Sequence, residues 1–145
     1  MILIIIKLIL VALCGLFWKL GGQAGFSKGF RRYGCAGLLL INTILMRHWI
    51  GILSFPLNFA AHAVGYGKNS KLTVWLKNKY LVRFVCGLLY GCSDIFILWG
   101  NWWLLGFHIG ILSLGVTLAG NQKFQLKDRE EAFIGVLRGL CPILS

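Results

Sequence analysis

Apolar residues fall in continuous runs over 2–18, 33–46, 49–66, 80–99 and 102–119, and polar residues collect between them. The runs lack the period-two alternation of barrel strands, so each predicts a helix that is apolar on every face. A bilayer core about 30 Å thick needs about 20 helical residues, and the first, fourth and fifth runs approach that length. The second would rise only about 21 Å at about 1.5 Å per residue. Extended to 30–48 it reaches across, with Arg31, Arg32 and Arg47 snorkelling to the two interfaces. Pro56 removes a backbone donor and predicts a kink in the third run. Making 35–55 one long helix, with 56–67 a re-entrant loop, would bury Arg47 in mid-membrane, so two separate helices are the preferred parse. The expectation is an all-α integral membrane protein, a single domain over 1–145 with about five transmembrane helices near 2–18, 30–48, 49–66, 80–99 and 102–119. The tail, 130–144, sets Phe133, Ile134, Val136, Leu137, Leu140 and Leu144 around Arg138 and predicts an amphipathic helix lying at an interface.

The connectors alternate in charge. The first carries Lys19, Lys28, Arg31 and Arg32, and the third carries Lys68, Lys71, Lys77 and Lys79, with Arg83 just beyond. The fifth carries Lys123, Lys127 and Arg129, whereas the second offers only Arg47 and His48 and the fourth, at Gly100 and Asn101, has no charge. Lys and Arg are retained on the cytoplasmic side, which predicts basic loops inside and the N-terminus outside. Lys7 is then a cation on the outer side, near enough to a helix end to snorkel. The run preceding it, Met1 to Ile6, is uncharged, so a membrane helix is expected here in place of a secretory signal.

Composition agrees with that class: 58% of residues are hydrophobic and 13% charged, with a mean hydropathy of +0.78. The net charge of +11 resides in short loops between apolar runs. Membrane orientation and anionic headgroups account for it, and no basic stripe interleaved with exposed aromatics predicts nucleic-acid binding. Cys14, Cys35, Cys86, Cys92 and Cys141 are odd in number, form no CxxC pair and lie in apolar surroundings, so they are read as small hydrophobes.

Ionisable residues within apolar runs stand out because burying them must be offset by partners. Asp94 is the one acid in the five runs, and the short connector after its helix sets it beside His108; Arg47 and His48 are expected at the same level. Asp94, His108, Arg47 and His48 therefore form the leading polar cluster, read either as an ion-responsive outer vestibule or as a bridge between helices. Asn58 and His62 stand four residues apart and share a helix face, as pore-lining or helix-bonding candidates, and Asn42 and Thr43 have the same two readings. Gly87-x-x-x-Gly91, Gly106-x-x-x-Gly110, Gly115-x-x-x-Ala119 and Gly135-x-x-x-Gly139 supply close-packing faces, and several on so small a chain favour self-association. Ala63-Val64-Gly65-Tyr66-Gly67 resembles a potassium-channel filter, but Ala63 lacks the threonine oxygen and Lys68 would repel cations, so a helix-ending turn is expected. No hydrolase, metalloprotease or phosphate-loop motif is present, and neither an enzyme, a cofactor nor a metal is expected.

The segments Phe17-Trp18-Lys19-Leu20-Gly21-Gly22, Arg31-Arg32-Tyr33-Gly34 and Gly65-Tyr66-Gly67-Lys68-Asn69-Ser70 resemble small uncharacterised polytopic membrane proteins of phages and prophages, over the first half of the chain. That resemblance implies a bacterial inner-membrane location and carries no catalytic residue across. The expected function is a homo-oligomeric channel or pore of holin-like type. The alternatives are a non-conducting scaffold, docking a protein partner or anionic lipid through the basic loops, and a small transporter.

Overall fold

The structure is a computed structural model that describes residues 1–22, 33–65, 76–119 and 128–145. Its described residues are helical, without strands. In chain order they form α1 (Ile2–Gly22), α2 (Cys35–Leu45), a short 3-10 helix (Trp49–Leu53), α3 (Ser54–Gly65), α4 (Lys79–Cys92), α5 (Trp102–Ala119) and α6 (Asp128–Leu144). By length and composition α1 is the one helix among the described residues long and apolar enough to cross a membrane, with a mean hydropathy of 2.4 over Ile2–Leu20.

Local chemistry sets several boundaries. The side chain of Asn78 accepts from the amides of Tyr80 (3.0 Å) and Leu81 (3.3 Å), satisfying free donors at the start of α4. Asn101 does the same for Leu104 at 3.3 Å at the start of α5. Gly100, at φ +87°, supplies the left-handed turn that brings the chain into that helix. The second and third expected helices are shorter than the runs suggested. α2 stops at Leu45, Arg47 turns the chain at φ +52°, and the 3-10 segment intervenes. Pro56 sits in the first turn of α3, where a missing donor breaks no ladder bond, so the expected mid-helix kink is replaced by this earlier break.

The fourth expected helix also ends early, at Cys92, and 93–100 is a run of turns. The Ser93 hydroxyl donates to the Tyr90 carbonyl at 2.7 Å. The Ser54 hydroxyl accepts from the amides of Phe96 (3.1 Å) and Ile97 (3.3 Å). Side-chain oxygens thus offer the backbone partners that compete with a helical ladder.

α1 and α6 make the most extensive helix pair, followed by α4 and α5. Both pairs are antiparallel. Lys7 donates to the backbone oxygen of Ser145 at 3.0 Å, while Cys14, Gly15 and Trp18 lie against Gly135. Likewise Gly87 meets Leu112 and Ser113, and Gly91 meets Ile109. The tail is therefore no peripheral amphipathic helix: Ile134, Arg138, Cys141 and Ile143 are buried in the core. Its glycine face lets α1 approach too closely for the tail to remain at an edge.

These contacts give the bundle two ends. The helix ends bordering 23–32, 66–75 and 120–127 lie together at one end; the 46–49 and 93–101 connections and both chain ends lie at the other. Those three segments, with most of the basic connector residues, lie outside the described residues, as do Tyr66 and Gly67 of the filter-like fragment; Ala63, Val64 and Gly65 close α3.

An added Cβ at Gly135 would stand 2.4 Å from the Cys14 carbonyl oxygen and 2.8 Å from the Gly15 Cα, whereas at Gly106 and Gly110 it would meet nothing within 4 Å. Gly135→Ala should therefore cost roughly 1–3 kcal/mol through overpacking, and Gly110→Ala should be neutral or gain up to about 1 kcal/mol. Denaturant unfolding in detergent, followed by circular dichroism, measures both.

Candidate functional site

Asp94 leaves the turn after α4 with its carboxylate pointing into the bundle, where it is fully buried. A buried carboxylate must be matched by hydrogen-bond donors and a countercharge. His108 of α5 supplies one donor: its Nε2 lies 2.8 Å from Asp94 Oδ2. Asn58 of α3 donates to Oδ1 at 3.0 Å. The countercharge comes from Arg138 of α6, which donates to Oδ2 through Nη1.

Arg138 is equally committed. Nη1 also donates to the Tyr90 carbonyl at 2.7 Å, and Nη2 donates to the Asn58 side-chain oxygen and to Ser93 Oγ, the latter at 3.0 Å. Its guanidinium lies 5.7 Å from the Tyr90 ring centroid. Asn58 thus bridges anion and cation, accepting from one and donating to the other. A further bond from its amide to the Ser54 carbonyl (2.8 Å) fixes its orientation within α3. Asp94, His108 and Arg138 are each 0% exposed and Asn58 is 2% exposed, so four segments of the chain converge on a dry ionic cluster.

The residue types invite comparison with a nucleophilic triad, and the connectivity decides against one. The Ser93 hydroxyl is spent on the Tyr90 carbonyl and on Arg138, while His108 faces Asp94. Both carboxylate oxygens are occupied by donors. These bonds tie α3, α5 and α6 to the turn after α4. Among the described residues no three His, Cys, Asp or Glu side chains form a group that could hold a metal ion.

Of the expected site residues, the structure brings Asp94, His108 and Asn58 together. Arg47 is not among them: its side chain is exposed at the turn after α2. Nor is His48, which is half-buried and lines a groove of about 300 Å³ with Asn42, Thr43, Trp99 and Asn101 at the connector end. These two lie beyond the level of Asp94 because α2 stops short and the chain turns outward. His62 lies within α3, and its side chain is outside the described residues. Gly87, Gly91, Gly135 and Gly139 sit at helix contacts inside the chain, whereas Gly106 and Gly110 face outward.

Arg138 was missed, and so was Ser93. The signal for Arg138 was present: it is the single charge within the apolar stretch 132–145, and Asp94 required a cation. No family model, curated protein or solved structure matches this chain.

Asn58→Leu removes the bridge at nearly constant volume and leaves buried donors and acceptors unmet. It should lower stability by roughly 1–3 kcal/mol, whereas Arg47→Ala should change it by less than about 0.5 kcal/mol. Parallel unfolding curves of the two variants test the difference.

Proposed function

We propose that the protein is a polytopic membrane protein that docks a partner or anionic lipid at its basic end and does not itself conduct. The observation carrying this reading is the closed cluster: Asn58, Asp94, His108 and Arg138 are all buried from solvent and bonded to one another. A conducting pathway needs polar groups left open to ions, and here they are bonded to each other.

Two features support membrane residence. The outward faces are strongly apolar: Ile2, Ile4, Ile5, Leu8 and Ile9 on α1, with Trp103, Phe107, Leu114 and Leu118 on α5. A bilayer would cover them. The distribution of charge along the sequence adds the second, since most cations fall in or beside 19–32, 68–83 and 123–129, and the described helix ends that border these stretches lie together. Retention of Lys and Arg on the cytoplasmic face would put that end inside and both chain ends outside. Six bundle segments would then cross, α6 being the last, in place of five. A bacterial inner membrane suits this arrangement, and anionic headgroups suit the charge.

The second reading, a homo-oligomeric pore of holin-like type, draws on one observation. Gly106 and Gly110 open an outward face on α5 where another helix backbone could approach. Conduction would then run between copies.

Reconstitution into vesicles separates the readings. Vesicles loaded with a self-quenched dye and a potassium gradient should stay sealed at high protein density. Photocrosslinking from a probe at Lys77 should meanwhile capture anionic lipid. Leakage that rises with protein density would replace the docking reading with the pore between copies.

A further inference from the structure

We propose that the groove at the 46–49 and 93–101 connections is a binding site for a neutral sugar ring, separate from the buried ionic cluster. It does not depend on whether the protein conducts.

The groove, about 300 Å³, lies between the end of α2, the turns before α5 and the last turn of α6. That volume stands at the lower limit of ordinary ligand pockets and suits one six-membered ring with its substituents. Asn42 and Thr43 form its floor, 4% and 1% exposed. Asn42 Nδ2 donates to the Pro142 carbonyl at 3.3 Å, which ties the floor to α6. The Asn42 side-chain oxygen takes no bond from a described residue. It is open to the groove, since the unpaired side-chain atoms sealed from solvent are Arg83 Nη1, His108 Nδ1 and Arg138 Nε. The Thr43 hydroxyl donates to the Leu40 carbonyl at 2.7 Å and keeps its oxygen as an acceptor.

The rim adds donors. Asn101 Oδ1 is committed to the Leu104 amide, and Nδ2, on the other side of the amide group, donates to no described residue. The His48 ring likewise makes no hydrogen bond with a described residue. Gly51 leaves it room: an added Cβ there would stand 2.7 Å from Thr43 Cγ2 and 3.1 Å from His48 Nδ1.

Two properties select the ligand. No side chain lining the groove belongs to Asp, Glu, Lys or Arg. Lys7 is bonded to the Ser145 backbone oxygen at 3.0 Å, and Arg47 is exposed and outside the lining. A charged ligand would therefore lose hydration without gaining a countercharge, whereas hydroxyls both donate and accept and match the amides. The second property is Trp99, which lines the groove and is 49% exposed. It stacks on Phe96 with ring centroids 5.7 Å apart and packs at 68° against Trp102. The indole is thereby held in place and offers a flat apolar surface beside the polar groups. A sugar ring brings both features, C–H groups on a face and hydroxyls around the edge. An open-chain polyol lacks the face, and an apolar ligand would leave Asn42 and Asn101 unpaired.

The test uses the full chain in a sugar-free detergent, with methyl β-glucoside, methyl β-galactoside and methyl N-acetyl-β-glucosaminide as probes. With ¹⁵N-labelled tryptophan, the indole signal missing from Trp99→Phe should shift and saturate, with millimolar affinity for at least one probe. Asn101→Ser keeps a capping oxygen for α5 and removes the amide donor. Affinity should then fall about 5–10-fold. Trp103→Ala, outside the groove, should bind as wild type does. Methyl β-glucuronide and glucosamine, which are charged, should bind at least about tenfold more weakly than the best neutral probe. A Trp99 signal that none of the three neutral glycosides moves would overturn the proposal. So would charged sugars that bind as tightly as neutral ones, unchanged affinity in N101S, or equal losses in N101S and W103A. Should W99F fail to fold, saturation transfer from wild type, N101S and W103A to the probes decides by the same comparisons. Glucosyl diacylglycerol added to the micelles, against diacylglycerol alone, identifies the source. A shift at far lower concentration than the methyl glycoside requires supports the site as one for a glycolipid headgroup, and a shift at equal concentration supports it as one for free sugar.

Discussion

The buried carboxylate of Asp94 is the constraint around which the bundle is organised. Removing a charge from water costs several kcal/mol unless a countercharge and hydrogen bonds replace the lost hydration. No nearby residue in sequence supplies a permanent cation. Arg138, 44 positions away, does so, and reaching it requires α6 to run back through the bundle beside α1. The requirement of one side chain thereby decides the placement of an entire helix. Asn58 and Ser93 complete the arrangement by meeting the donors and acceptors that a lone ion pair would leave unsatisfied.

Close backbone approach provides the complementary half of the stabilisation. Gly135 and Gly139 admit α1 against α6, and Gly87 and Gly91 admit α4 against α5. The ion pair gives specificity, because it is satisfied in a single register; the glycine faces give packing area without directional demand. Together they leave a buried ionic centre and apolar outer faces. That combination suits a protein that acts through its surfaces, and it underlies the docking reading.

How far the sequence disclosed this follows from distance along the chain. Asp94 and His108 are 14 residues apart across one short connector, so antiparallel neighbours bring them together by simple geometry. Arg138 carried a signal, as the single charge in the apolar stretch 132–145, but that stretch also satisfies the pattern of an interfacial amphipathic helix. Hydropathy alone does not distinguish an arginine pointing at water from one pointing at a buried acid. The early end of α4 was hidden for a related reason: Ser54 holds the amides of Phe96 and Ile97 through tertiary bonds that no local propensity records. Arg47 and His48 were expected beside Asp94 on the assumption of a full-length second helix, and the turn at Arg47 removes that assumption.

The central claim is that Arg138 and Asp94 act as one unit, and a double-mutant cycle on that pair measures it most directly. Unfolding free energies of wild type, Asp94→Asn, Arg138→Met and the double variant in one detergent suffice. Each single change should cost roughly 3–5 kcal/mol, since it strands a buried polar partner. The double variant should cost much less than the two together, leaving a coupling of roughly 2 kcal/mol or more. Additive losses, with no coupling beyond about 0.5 kcal/mol, would contradict the account.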